Sequence, residues 1–405
     1  MHPPLSAEQA RLIETARALG RERFAPRAAR YDLEASFPFE NYADLREAGF
    51  LGLTIPTRYG GLGADYATYA MVSAELGRWC GATALTLNMH ACSMLWPGPM
   101  VDDLPLPDAD RAAHERRRAR MYERVLADGA IFAQPFSEPQ SAAAAGQAPF
   151  GTTARPVDGG FVVSGTKHFA SLAGAAHFYG LLCTEERPGQ PPDVKDTVYL
   201  AVPADAPGAE VFGPWDPLGM RGTVSRSLRF TEVFVPEDHL LMPRGVYYRA
   251  AVSWPHMFMT LCPTFLGIAQ AAFDFTVGYL RGEVPGAPGP ALRRSPSKQL
   301  AVAEMRVRLE QAKALFYRAI GEARVNPTKE DRLRAYATQY TVMEHANEVC
   351  RLALRTCGGR SLLRPLPLER LYRDSRCGSL MLPWTAEICL ERLGRESLVE
   401  PGEPD

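Results

Sequence analysis

The spacing of apolar residues changes twice along this chain of 405 residues. From about Leu5 to Leu126 they recur every three or four residues, which predicts helices. From Ile131 onwards, short runs of β-branched and aromatic residues between Gly, Pro and Asp predict strands, and beyond Val246 helical spacing returns. We therefore expect an α+β chain, mainly α: an N-terminal all-α domain in residues 1–130, a small middle β-barrel or sandwich domain in 131–245, and a C-terminal four-helix bundle in 246–405.

The C-terminal part carries four long helical periods, at Pro263 to Arg281, Lys298 to Arg324, Lys329 to Thr356 and Leu380 to Leu398. Helices of this length, joined by short links, predict an antiparallel bundle whose apolar stripes could also pack on another subunit. The Pro- and Gly-rich segment between the first two should be a loop. A Rossmann-type nucleotide site is excluded, because no strand is followed by a Gly-x-Gly-x-x-Gly turn.

Composition narrows the class of function. The formal net charge of -1 provides no field for attracting nucleic acid. The N-terminus lacks the pattern of a signal peptide and no run reaches about 18 apolar residues, so we expect a cytoplasmic protein without a membrane span. The 8 cysteines show no Cys-x-x-Cys pair, which predicts reduced, mostly buried thiols and no metal site.

Five motifs occur in one order along the chain: GFLGLTIPTRYGGLGADY, FAQPFSEP, GTKHFASLAGAA, LGMRGTVSRSLRFTEVFVP, and CGGRSLLRPLPLERLYRDSR followed by WTAEI. Each resembles a segment of the acyl-CoA dehydrogenase family, and together they cover almost the whole chain. The resemblance implies a flavoprotein that binds FAD and desaturates an acyl thioester such as an acyl-CoA. A flavin site needs hydrogen-bond donors near the ring, an apolar wall and groups that hold the phosphates.

The resemblance also implies which residues contact the cofactor. Ser137 would lie near the pyrimidine ring, Phe169 would form the wall, and Ser171 would hydrogen-bond N5. Ala170, between the last two, would also bind the cofactor. A second set would reach the FAD of a neighbouring subunit, which implies a homodimer or homotetramer. That set comprises Arg281, Gln299, Gly358 and Gly359, with Thr385 and Glu387 also near the cofactor. Taken alone, the serines could be turn or strand hydroxyls, Arg281 a solvated helix end, and the glycines a helix cap.

The family's catalytic base is missing from both places where the resemblance would put it. Desaturation needs a base against the α-carbon, and a glutamate usually precedes the threonine of the last motif by two residues. Pro383 stands there. An alternative glutamate would fall at Met257, and Phe258 replaces the arginine that normally follows it. The loop QSAAAAGQ also departs from the family's Gly-Ser-Asp turn near the thioester.

Two histidines are candidates for a substitute base. His256 adjoins the alternative position and His90 lies on a helix that borders the substrate pocket in the family, while His168 neighbours Phe169. An imidazole titrates in the useful range, although an ordinary structural histidine is the simpler interpretation of each. We expect Asp374 to be a structural ion-pair partner.

Three functions therefore stay open. The first is desaturation of an acyl thioester with a displaced base, passing electrons to an electron-transfer flavoprotein or to oxygen. The second is a flavin-dependent oxygenase or oxidase on the same scaffold, which does not need the glutamate. The third is a non-catalytic subunit of a hetero-oligomer. Sequence does not select the substrate, its chain length or CoA as its carrier.

Overall fold

The structure, a computed structural model, describes residues 4–139, 143, 148–254, 256–284 and 286–399. The N-terminal helices are α1 (Ala7–Leu19), α2 (Ala25–Glu34), α3 (Phe39–Glu47), α4 (Tyr66–Gly77), α5 (Gly81–Leu95) and α6 (Asp108–Glu123). The strands are β1 (Phe132–Ala133), β2 (Thr153–Val157), β3 (Gly160–Ala170), β4 (Phe178–Glu185), β5 (Thr197–Pro203), β6 (Ala209–Phe212) and β7 (Arg226–Pro236). The C-terminal helices are α7 (Val246–Ser253), α8 (His256–Met259), α9 (Cys262–Arg281), α10 (Pro296–Gly321), α11 (Lys329–Cys357), α12 (Leu368–Cys377) and α13 (Ala386–Leu398).

This order of helices, strands and helices confirms the predicted fold class. The strands form one seven-stranded sheet in the order β1-β4-β2-β3-β7-β6, with β5 on the other side of β4. The longest pairing is between β3 and β7, which run antiparallel from Gly160 opposite Pro236 to Ala170 opposite Arg226. The register shifts between Lys167 and Ala170. The motif GTKHFAS is thereby held beside SRSLRF at one end of the sheet.

The helical bundle is centred on α11, which packs against α9, α10, α12 and α13. Helix α4 of the N-terminal region crosses α9 very closely, because a Cβ on Gly267 would lie 2.2 Å from the Ala74 carbonyl oxygen. The stretch from His256 to Arg281 is long and apolar enough to cross a membrane, but it is mostly buried inside the protein, as a core helix is.

The last helix begins later than its sequence period predicts. The prediction was Leu380 to Leu398, whereas α13 begins at Ala386. The Thr385 side chain accepts a hydrogen bond from the Ile388 amide and so caps the helix at this point. Pro383 cannot donate a backbone hydrogen bond, which favours a break before the cap. The residues between α12 and α13 are therefore free to line a cavity.

The three regions meet at α12. Arg373 forms an ion pair with Asp32 at the end of α2, with 2.6 Å between Nη2 and Oδ2. The next residue, Asp374, accepts a 2.6 Å hydrogen bond from the Met220 amide, which precedes β7. Gly219 is required here, because a Cβ would lie 2.3 Å from the Arg373 carbonyl oxygen. The segment LGMRGT is thus clamped between α2 and α12.

Candidate functional site

A cavity of about 770 Å³ opens where these regions meet. Its walls come from α5, the ends of β3 and β7, α8 and the segment between α12 and α13. Aromatic and apolar side chains dominate the walls, among them Trp96, Phe136, Phe169, Trp215 and Phe258. A large apolar cavity with a few polar groups is the usual form of a small-molecule site.

A buried ion pair joins the motifs FAQPFSEP and GTKHFASLAGAA beside this cavity. Lys167 Nζ lies 2.6 Å from Glu138 Oε1, and both side chains are fully buried. Glu138 also accepts hydrogen bonds from the Gly151 and Thr152 amides. Burial opposes its ionisation, but the Lys167 ammonium and the Thr152 amide hold the pKa of Glu138 below its usual value. Glu138 is the one carboxylate among the described residues that line the cavity, and it is committed to this pair.

Ser137, His168 and Phe169 come together next to that pair. The His168 amide donates a 2.8 Å hydrogen bond to the Ser137 carbonyl oxygen, which joins FSEP to GTKHF. Phe169 is 73% exposed although it is a large apolar residue, and it stands on the cavity wall. Ala170, behind it, is fully buried. The exposed ring is a surface that a bound planar group could cover.

The backbone around this wall is strained. Phe169 has φ 51°, Leu172 67°, Met220 52° and Val224 46°, all in the left-handed region. Such a conformation costs a residue with a Cβ about 1–2 kcal/mol, and it persists where surrounding contacts enforce it. Four of the seven non-glycine residues with positive φ in the described chain lie here, and such strain clusters at functional sites, which supports this wall as a candidate site.

A chain of hydroxyl groups lies along one part of the cavity wall. Ser171 Oγ lies 2.8 Å from Ser225 Oγ, which lies 2.7 Å from Thr223 Oγ1. Thr223 in turn donates a 2.8 Å hydrogen bond to the Met220 carbonyl oxygen. All three hydroxyl-bearing residues line the cavity. The sequence predicted Ser171 but not its partners, whose proximity depends on the pairing of β3 with β7.

The two positions predicted to lack the base face the same cavity. Met257 and Pro383 both line it, as do their neighbours Phe258 and Leu382. None of these side chains ionises. A thioester bound here would therefore meet an apolar wall at both places where the family resemblance would put a carboxylate.

Neither predicted substitute base has the required geometry. His90 is buried, with Nδ1 accepting from the Phe132 amide and Nε2 donating to the Leu51 carbonyl oxygen, so no ring nitrogen is free. His256 is buried and is not part of the cavity wall, although Met257 beside it is. Burial lowers the pKa of each to about 4. The hydrogen bonds of His90 join α5 to β1, whereas both ring nitrogens of His256 are buried without a hydrogen-bond partner among the described residues.

His168 is the histidine that does line the cavity within the described chain. Its Nδ1 lies 2.8 Å from Ser227 Oγ. Nε2 has no hydrogen-bond partner among the described residues. The contact is partly buried, and both residues line the cavity, so the His168 ring is within reach of a molecule bound there.

The remaining predicted cofactor contacts lie outside the cavity wall. Arg281 is exposed at the end of α9 and Gln299 is exposed on α10. Gly358 ends α11 with φ 79°, and a Cβ on it or on Gly359 would meet nothing within 4 Å. Thr385 caps α13 and Glu387 is exposed in its first turn. The predicted contacts therefore separate into a cavity set and a set on the outer surface of the C-terminal region.

One loop of the predicted site lies largely outside the described residues. In the loop QSAAAAGQ, residues 140–142 and 144–147 lie outside the described residues. In the described residues no cluster of three or more His, Cys, Asp or Glu could hold a metal ion. All eight cysteines are unpaired, and all but Cys377 are buried.

The fold and cavity define a scaffold of two helical regions and one sheet, with a large apolar site where the three parts meet. Comparison with known proteins identifies that class. Family models for the N-terminal, middle and C-terminal domains of acyl-CoA dehydrogenase match residues 6–97, 133–233 and 259–380. The chain belongs to the acyl-CoA dehydrogenase family.

Individual relatives are distant but span nearly the whole chain. The human mitochondrial short-chain specific acyl-CoA dehydrogenase is 28% identical over 367 residues, covering 90% of this chain and 84% of its own. Among solved structures, butyryl-CoA dehydrogenase from Megasphaera elsdenii has a TM-score of 0.83 at 21% identity, covering 98% of this chain and all of its own. At 21% identity, the likeness to this solved structure shows a shared fold.

Other solved structures on the same fold are not named as dehydrogenases. KijD3, solved with FMN and a dTDP-linked amino sugar, has a TM-score of 0.82 at 24% identity and covers 98% of this chain and 95% of its own. Dibenzothiophene monooxygenase TdsC from Paenibacillus sp. A11-2 has a TM-score of 0.79 at 22% identity, covering 96% of this chain and 97% of its own. The scaffold is thus shared by dehydrogenases and oxygenases, and it supports an oxidoreductase in general terms.

Proposed function

We propose that this protein is a flavin-dependent oxidoreductase whose site suits oxygenation of a mainly apolar substrate. The observation that carries the proposal is the apolar wall formed by Met257 and Pro383. With Glu138 committed to Lys167, no described carboxylate on the cavity wall is free to remove an α-proton. Oxygenation by a reduced flavin does not require that step.

The residues on the cavity fit a flavin. The exposed Phe169 ring offers a face for a planar ring system, and the Ser137 and Ser171 side chains supply polar groups beside it. When bound, a flavin supplies hydride transfer and, in its reduced form, oxygen activation. Trp96, Phe136 and Phe258 would form an apolar wall beside the flavin, and His168 faces the same cavity.

We propose FAD rather than FMN, with the second set of residues completing its site from a partner subunit. Arg281 is exposed at a helix end, where it could pair with a phosphate. Gly358 and Gly359 leave open space where a side chain would stand, which allows close approach of a ligand to the backbone. A homodimer or homotetramer would bring these groups to a neighbouring cavity.

Desaturation of an acyl thioester is the second candidate, and one observation favours it. His168 lines the cavity and keeps Nε2 unpaired within the described chain. This nitrogen could act as the displaced base. The His168→Ala variant separates the candidates. It should abolish acyl-CoA oxidation if His168 is the base, and leave flavin binding intact under either function.

The test of the proposed function uses the purified chain with FAD or FMN. We expect a yellow protein that acyl-CoAs of different lengths fail to bleach under anaerobic conditions. Oxygen uptake should instead depend on a flavin reductase and NADH and should increase when an apolar substrate is present. Bleaching by any acyl-CoA would establish desaturation. A colourless chain that takes up flavin only with a second polypeptide would establish the partner-subunit function.

A further inference from the structure

The hydroxyl chain of Ser171, Ser225 and Thr223 has a direction that is set at its buried end. A carbonyl oxygen can only accept a hydrogen bond, and each hydroxyl carries one proton. Thr223 therefore spends its proton on the Met220 carbonyl oxygen, 2.8 Å away. Ser225 must then donate to Thr223, and Ser171 must donate to Ser225.

Reversing the donors and acceptors along this chain would cost free energy. In the reverse direction the Thr223 and Met220 oxygens would face each other at 2.8 Å without a proton between them. Thr223 is 1% exposed, so water cannot compensate. The two loops are also joined by backbone hydrogen bonds, from Leu172 to the Thr223 carbonyl and from Ala173 to the Val224 carbonyl. Met220 is also held in place because its backbone amide donates a hydrogen bond to the Asp374 carboxylate.

We infer that Ser171 presents only lone pairs to the cavity, so that the group bound against it must donate a hydrogen bond. The inference rests on the proposed flavin site, with Ser171 facing the redox-active nitrogen N5 of the ring. Oxidised N5 carries a lone pair and accepts. Two electrons and one proton convert it to an N–H group, which donates. The site therefore binds the reduced flavin more tightly than the oxidised flavin.

Thr223 and Ser225 are positioning residues in this scheme, and they can be tested separately from Ser171. Thr223→Val keeps the side-chain shape but removes the acceptor for Ser225, which can then donate to Ser171. Ser171 is left free to turn its own proton toward the cavity. Ser225→Ala releases Ser171 in the same way with a smaller change. Ser171→Ala removes the interaction altogether.

The experiment measures dissociation constants for oxidised and for dithionite-reduced FAD, anaerobically, together with the two-electron potential of the bound flavin. Preference for the reduced form should fall in the order wild type, Ser171→Ala, Thr223→Val. Between wild type and Thr223→Val we expect about a tenfold loss in that preference, equivalent to about 30 mV in potential. Ser225→Ala should match Thr223→Val, and it replaces that variant if Thr223→Val fails to fold.

The matched control is Thr338→Val, which removes another buried hydroxyl bonded to a backbone carbonyl, 2.7 Å from the Arg334 oxygen in α11. It should leave the preference unchanged. Equal preference in wild type and all variants would overturn this inference while leaving the proposed function intact. Variant-dependent preference in a protein that acyl-CoAs bleach would support the inference and overturn the proposed function. Failure of the wild type to bind flavin would overturn both.

Discussion

At the residue scale, the ion pair of Lys167 with Glu138 explains why one part of the site is recognisable in the sequence. The pair is buried, and Lys167 also donates a 2.7 Å hydrogen bond to the Leu182 carbonyl oxygen. The ion pair joins the segment FSEP to the segment GTKHF. It thereby positions Ser137 and Phe169 on the cavity wall. In each motif a residue of the ion pair stands next to or near a residue of the cavity wall: Glu138 follows Ser137, and Lys167 precedes Phe169 by two positions.

Replacing Lys167 by Met should be strongly destabilising. The change leaves the Glu138 carboxylate buried without its partner, which costs about 3–5 kcal/mol of the free energy of unfolding. Urea unfolding followed by circular dichroism measures it. The exposed pair of Arg155 with Glu232 is the control, and Arg155→Met should cost at most about 1 kcal/mol. If both variants lost a similar free energy of unfolding, burial of the Lys167–Glu138 pair would not be the cause of the loss. Adding Glu138→Gln to Lys167→Met should restore part of the loss.

At the element scale, the segment LGMRGT is held on α12 by Asp374, and this contact should depend on pH. Burial raises the pKa of Asp374 from 3.8 to about 6. A carboxyl group whose pKa is higher in the folded state favours folding when protonated. Its contribution is therefore fully present below about pH 4 and is lost as pH rises through 6.

Asp374→Asn should remove that dependence. The amide oxygen can still accept the Met220 hydrogen bond without the charge. We expect the variant to be more stable than the wild type at pH 8, by up to about 3 kcal/mol, and similar to it at pH 4. Denaturant unfolding at the two pH values tests this. A variant that loses stability equally at both would show that Asp374 contributes as a charge, paired with a nearby arginine.

The crossing of α4 over α9 makes a second prediction at this scale. Gly267→Ala places a Cβ 2.2 Å from a backbone oxygen, and overpacking of this kind costs about 1–3 kcal/mol. Gly394→Ala in α13 is the matched control, since nothing lies within 4 Å of the added carbon. That change should stabilise the helix by about 0.5–1 kcal/mol. Thermal unfolding of the pair should thus give shifts of opposite sign.

The helices and strands were largely predictable from sequence because their spacing is a local property. The late start of α13 was not, since Thr385 as a cap competes with a continuous apolar pattern from Leu380. The site was predictable only in part. Ser137, Phe169 and Ser171 lie within motifs, whereas Ser225 and Trp215 enter the cavity through tertiary folding. Sequence does not show that both ring nitrogens of His90 are hydrogen-bonded, or that His256 is buried outside the cavity wall.

At the scale of the whole molecule, the cavity is built from all three regions, so a ligand bound there should stabilise the chain as a unit. Flavin at one hundred times its dissociation constant should add about 2.7 kcal/mol to the free energy of unfolding. A single calorimetric transition should move to higher temperature as flavin is added. Two transitions, of which flavin shifts only one, would show that the regions unfold separately.

The clamp at α12 also has a consequence for synthesis of the chain. Asp32 and Arg373 are separated by 341 residues, so α2 cannot meet its partner until nearly all of the polypeptide has left the ribosome. At typical rates of translation that interval is roughly 20 to 70 seconds. During it α5, which lines the cavity, lacks the helices α9 and α12 against which it packs. Production of active protein should consequently depend on chaperones and on slow expression at low temperature.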